Sequence, residues 1–248
     1  METWKFFDIT HREHILCNPM SVDKFSHVVD LLRLTAASTV LELATGKGEF
    51  ILQLAETYGA SGTGVDLSPY CVADAEAKRR ERVPGSNIGF IVADGAAYAA
   101  EVGQSYDVTA CIGASWIFDG HEGTLRALMG LTKPGGLIVV GEPYWMQTPD
   151  PAYLQAVELQ PNSFRSHAGN VQTGIALGLI LEYTTVSSHD EWDVYEALQW
   201  YASERYAREH PEDPDAAELL LRVRRSRDHY LQWGRDTVGW AIYVFRRD

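Results

Sequence analysis

Val40-Leu41-Glu42-Leu43-Ala44-Thr45-Gly46-Lys47-Gly48-Glu49-Phe50 is the stretch that decides the fold. An apolar, β-branched run ends in small residues, and beyond them Phe50, Ile51, Leu54 and Ala55 recur at helical spacing as far as Gly59. A strand that turns sharply into a helix through glycine lets a ligand touch the backbone, as nucleotide sites in open α/β sheets require. As a dinucleotide fingerprint the stretch is defective: a third glycine belongs at position 51, where the chain has Ile51. Hydride chemistry is disfavoured accordingly.

Working outward, short apolar runs alternate with helical stretches. Strands are predicted at Thr39 to Leu43, Gly62 to Leu67, Asn87 to Ala93, Tyr106 to Ile112 and Leu137 to Val140. Ser68-Pro69 caps a charged helix over 69–82, and Lys133-Pro134-Gly135-Gly136 is a turn following a helix over 122–131. Leu179 to Val186 and Thr237 to Arg246 read as two further strands at one sheet edge, with helix formers from Glu191 to Gln232 between them, broken at His210-Pro211. Before the sheet, Asn18-Pro19 opens a helix carrying Val22, Phe25, Val28, Val29 and Leu32 on one face. The expected fold is α/β: a Rossmann-like, doubly wound, seven-stranded sheet, mostly parallel with the last strand antiparallel. It has an N-terminal helical cover and a helical insertion between strands six and seven.

Composition narrows the class. The 248 residues make one elaborated domain or two small ones, and 46% hydrophobic with 22% charged residues is a packed-core composition. Twenty-one basic against 34 acidic residues give a net charge of -13, which disfavours a nucleic-acid partner. Cys17, Cys71 and Cys111 are odd in number and lack metal-ligand spacing, so a reducing, cytoplasmic setting is expected without disulfides or a zinc knuckle. The charged opening METWKFFDITHREH lacks the apolar run of a signal peptide, and the longest apolar stretch, around Ile175 to Leu181, is too short to span a bilayer. No membrane partner is expected.

Read as E-x-G-x-G-x-G, the opening stretch resembles the first motif of the class I S-adenosylmethionine-dependent methyltransferases, with Ala44 at the first glycine. Asp66 at the end of strand two is placed to accept both ribose hydroxyls, and Asp94 at the end of strand three to accept from the adenine amine. Lys133-Pro134-Gly135-Gly136 also looks like that family, so the resemblance runs from about residue 38 to 142. Gly135 and Gly136 themselves read as a turn. Further stretches are similar to the YjhP-like branch: His11-Arg12-Glu13-His14, Asn18-Pro19, Gly113-Ala114-Ser115-Trp116 and Gly141-Glu142-Pro143-Tyr144-Trp145. The resemblance implies S-adenosyl-L-methionine as cofactor, held by Glu42, Ala44, Gly46, Gly48, Asp66, Leu67, Asp94, Gly95 and Gly113. It leaves the acceptor open.

Ligands of an open α/β sheet sit beyond the carboxyl ends of the strands, so residues after strands four and five should face the methyl group. Trp116, Tyr144, Trp145 and His189 are the expected acceptor contacts, with Glu142, His14 and His11 as candidate catalytic groups. Glu142 follows a fully apolar run and is expected to be buried, with a partner or a raised pKa. Methyl transfer from a sulfonium is an in-line displacement, so positioning supplies most of the rate and a base is needed only for protonated acceptors. No metal is expected, because His11 and His14 have no third ligand fixed by sequence. No N-P-P-Y-type motif follows strand four, so a small molecule is the expected acceptor. The alternative is a cofactor-binding, non-methylating or regulatory protein of the same fold.

A single domain over 1–248 is expected. It divides into a cover (1–37), a cofactor core (38–145), acceptor-side elements (146–190 and 191–236) and the last strand (237–248). Residues 1 to 20 and the insertion 191 to 232 are the available lid over Trp116, Glu142 and Tyr144.

Overall fold

A computed structural model describes residues 1–248. Seven strands form one sheet: β1 (Thr39–Leu43), β2 (Ser61–Asp66), β3 (Ile88–Val92), β4 (Tyr106–Ile112), β5 (Thr132–Trp145), β6 (Leu179–Val186) and β7 (Val238–Arg247). Their order is β3-β2-β1-β4-β5-β7-β6. Pairs among β1 to β5 are parallel, whereas β7 runs antiparallel between β5 and β6. The order reverses at β1, so the crevice beside its carboxyl end is the topological switch point at which such sheets bind ligands.

Helices cover both faces: α1 (Thr3–His11), α2 (Val22–Leu31), α3 (Glu49–Tyr58), α4 (Pro69–Arg82), α5 (Gly95–Glu101), α6 (His121–Leu131), α7 (Pro151–Val157), α8 (His167–Ala176), α9 (His189–Glu209), α10 (Ala216–His229) and the short α11 (Arg235–Thr237). One apolar cluster packs Phe25, Val28 and Val29 of α2 with Phe50, Ile51 and Leu54 of α3 under the sheet. The other packs Leu125 and Leu128 of α6 with Ile138, Val140 and Tyr243 on the opposite face. None of the helices is long and apolar enough to cross a membrane.

The structure departs from the sequence reading in four places. The helix before the sheet begins at Val22 and not at Pro19, because the Ser21 side chain accepts from Lys24 N and caps it there. Two short helices, α1 and α5, are additional. β5 extends past both ends of Leu137 to Val140: Thr132 pairs with Tyr106 of β4, so Lys133-Pro134-Gly135-Gly136, expected as a turn, is an irregular part of the strand, and β7 pairs with it as far as Trp145. In the insertion, the expected break at His210-Pro211 is present between α9 and α10, and the departure is the π-helical turn (Tyr230–Gly234) that follows α10.

Candidate active site

The turn from β1 into α3 is built on left-handed backbone. Gly46 has φ +55° and Gly48 φ +73°, and Ala44 adopts φ +54° despite its methyl group. Gly48 tolerates no side chain: a Cβ there would lie 2.6 Å from the Phe90 ring and 2.9 Å from Ala75 Cβ. Beside the loop, the Glu42 carboxylate is 3% exposed and accepts from the Thr45 hydroxyl. Burial pushes its pKa up to about 8.

Asp66 locks this loop to the end of β2. Its Oδ2 accepts from Gly46 N at 2.7 Å and its Oδ1 from Ser68 N at 2.8 Å. Asp94 caps α5, with Oδ1 accepting from Ala97 N at 2.8 Å. Leu67 presents an exposed apolar side chain next to Asp66. Gly95 sits where a Cβ would press to 3.1 Å from Ile117, and Gly113 holds φ +89° at the end of β4. The cofactor residues expected from the sequence therefore lie along one carboxyl edge, at the ends of β1 to β4.

Glu142 lies on the α6 and α8 side of β5, only 4% exposed, and its Oε2 has no hydrogen-bond partner. Burial pushes its pKa up to about 7, opposed by the hydroxyl of Ser115. On the other face Trp240 fills the space left by Gly141, where a Cβ would lie 2.4 Å from the indole. Tyr144 lies across Gly239 in the same manner and meets the His167 ring at 5.2 Å. The remaining aromatic candidates diverge. Trp145 donates from Nε1 to Pro161 O at 2.9 Å and packs on Phe164, while Trp116 is 73% exposed. His189 is exposed at the start of α9, with Nε2 3.6 Å from Asp236.

His11 and His14 are buried between α1 and α9. His11 Nε2 shares a hydrogen bond with the Tyr195 hydroxyl at 2.9 Å, and His14 Nε2 donates to Tyr195 O at 2.8 Å. Burial pushes the pKa of His11 down to about 3 and also lowers that of His14. Sequence reasoning missed the residue that joins this pair to the loop. Lys47 is buried, and its Nζ donates to His11 O at 2.9 Å while facing Asp74 at 3.3 Å. A cation at the carbonyl end of α1 is favoured by the helix dipole. Ile15 to Asn18 then close over the loop, leaving a cleft of about 30 Å³ that Glu42, Ala44 and Ile112 also line.

Known proteins share this fold and give the family. A methyltransferase domain family matches residues 40–136. YjhP of Escherichia coli (strain K12) is 31% identical over 98% of both chains. A Geobacter sulfurreducens S-adenosylmethionine-dependent methyltransferase, solved with S-adenosyl-L-homocysteine, superposes with a TM-score of 0.91 at 29% identity over 98% of each chain. The chain belongs to the class I S-adenosylmethionine-dependent methyltransferases, in the YjhP-like branch. Trans-aconitate 2-methyltransferase of Paracidovorax citrulli is similar over a shorter span, 33% identical across 51% of this chain and 47% of its own. In this methyltransferase, Lys47, Thr45 and Trp240 lie in contact with the candidate residues read from the sequence. Lys47 and Thr45 lie inside the glycine motif itself, a signal that could have found them; Trp240 had none, because its partners Gly113 and Gly141 are distant in the chain.

Proposed function

We propose that the enzyme transfers a methyl group from S-adenosyl-L-methionine to a small-molecule acceptor enclosed between the end of β5 and the lid helices. The observation that carries the reading is the row of Glu42, Asp66 and Asp94 at successive strand ends around a left-handed loop with no room for a side chain at Gly48. The residues fit the cofactor. A carboxylate has about four acceptor positions, and Asp66 uses two on Gly46 and Ser68, leaving two for a pair of ribose hydroxyls. Asp94 caps α5 through Oδ1, so Oδ2 is available to an adenine amine. Leu67 offers an apolar surface to a flat base, and Glu42 with Ala44, Gly46 and Gly48 lines the other end.

The cofactor supplies an activated methyl on a sulfonium; the chain positions, desolvates and moves a proton. Glu142, with one oxygen unpartnered and a pKa near neutrality, is the group suited to take a proton from the acceptor. Tyr144 borders it. His11 and His14, held neutral by burial, fix the cover through Tyr195 and so serve positioning. A relative named for trans-aconitate supports an acceptor of metabolite size.

The test is label from methyl-labelled cofactor, offered to a metabolite extract and, separately, to protein and nucleic acid. Label in the low-mass fraction is expected. Label confined to macromolecules contradicts the acceptor class, and cofactor binding with no label in any fraction favours a binding protein.

A further inference from the structure

Helix α9 carries six carboxylates in distinct circumstances, of which Asp190 is simply exposed in the first turn. Glu191 pairs with Lys24 at 2.7 Å, Asp193 with Arg235 at 2.9 Å, Glu204 with Arg224 at 2.7 Å and Glu209 with Arg205 at 2.7 Å. Glu196, on the inward face, has no such partner. Burial pushes its pKa up to about 7, with no hydrogen bond or opposite charge to offset it. Its surroundings are aromatic. Trp192 and Trp200 flank it at four residues on either side, hence on the same helix face. The Tyr230 ring lies 6.2 Å from Trp192 and 6.1 Å from Trp200, facing the same helix.

Two further features single out this cluster. The indole N–H groups of Trp192 and Trp200 are buried and donate to nothing in the protein. Tyr230 begins the π-helical turn Tyr230–Gly234, a costly geometry that recurs at functional positions in helices. The cluster is also continuous with the site: Trp192 packs on the apolar cluster containing Trp240 and Ile112, and Ile112 lines the cleft with Glu42.

We propose that Glu196, with the rings of Trp192, Trp200 and Tyr230, seats a positively charged amine of the acceptor. This rests on the small-molecule transfer reading above and names the substrate class. A half-buried carboxylate among aromatic faces is unfavourable alone, and an ammonium group repays it twice, by ion pairing and by attraction to the ring faces. Acceptor atoms on the same ligand would offer the two indole donors the partners they lack.

The test is calorimetry on the full chain, with S-adenosylhomocysteine titrated first and then benzylammonium or the isosteric neutral probe benzyl alcohol. Benzylammonium should bind the wild type at least about tenfold tighter than benzyl alcohol. Glu196→Gln should abolish that preference while S-adenosylhomocysteine affinity stays unchanged. Trp200→Leu, a second variant, should weaken benzylammonium severalfold. Equal affinity for the two probes in the wild type overturns the proposal, as does a preference that survives both substitutions. Failure of S-adenosylhomocysteine to bind the wild type would instead refute the cofactor site on which the proposal rests.

Discussion

The proposed cofactor end and the proposed acceptor end of this site treat their carboxyl groups in opposite ways. At the cofactor end each carboxylate is held by its own chain: Glu42 by Thr45, Asp66 by the N–H groups of Gly46 and Ser68, Asp94 by the N–H of Ala97. At the acceptor end Glu142 Oε2 and the indole N–H groups of Trp192 and Trp200 are buried without partners, and Glu196 is unpaired. The first end is organised before any ligand arrives, so binding costs it little rearrangement. The second carries unmet hydrogen-bonding capacity, which is expensive in the free protein and which, on the proposed reading, the acceptor offsets.

The largest expected effect breaks the organised end. Gly48→Ala forces a left-handed alanine at about 1–2 kcal/mol and drives its Cβ into Phe90 and Ala75, an overpacking cost of about 1–3 kcal/mol. The melting temperature should fall by roughly 10 °C, and calorimetry should show no S-adenosylhomocysteine binding. Gly46→Ala places its Cβ 3.6 Å from Cys17, an ordinary contact, and should cost only about 1 kcal/mol. Equal losses for the two variants would show that the loop is not shaped by the Phe90 contact.

A smaller effect probes two buried carboxyls whose pKa is raised. Glu142 and Glu42 have folded-state pKa values near 7 and 8 against an ordinary 4.5, so the folded chain binds protons more tightly than the unfolded one. Their contribution is fully present below about pH 4.5 and is lost as pH rises through 7 for Glu142 and 8 for Glu42. Glu142→Gln should therefore flatten denaturant-measured stability between pH 5 and 7 and stabilise the fold at pH 8 by on the order of 3 kcal/mol. Methyl transfer should drop by about 100-fold with cofactor affinity unchanged. A wild-type steepness retained in the variant would assign the slope elsewhere.

The smallest effect separates two tasks of one residue. Asp94→Asn keeps a good helix cap, so the melting temperature should hold while S-adenosylhomocysteine affinity falls by less than about tenfold. An affinity that does not move would leave Asp94 as a cap alone.

Strands β1 to β5 were legible because apolar runs, glycine turns and the Ser68-Pro69 cap all agree locally. α1 and α5 were not: α1 is capped by Glu2, outside the usual capping set, and α5 is an alanine-rich segment with no apolar period. Burial of Glu142 followed from the run before it. The setting of His11 and His14 did not, because Tyr195 lies more than 180 residues away in the chain. Lys47 reads as a solvated loop cation until its partners, main-chain carbonyls of the cover, are seen. Glu196 looks like any other acid of α9, and only its burial beside Trp192, Trp200 and Tyr230 without an ion-pair partner sets it apart.

Hydrogen exchange with and without S-adenosyl-L-homocysteine tests the central claim most directly, since it reads the two ends in one experiment. Slowed exchange confined to the amides of 43–49, 66–68 and 94–97, with α9 unchanged until an acceptor is added, is the predicted result. Protection centred on α9 and α10, or none at the ends of β1 to β3, would contradict the assignment of a pre-organised cofactor end.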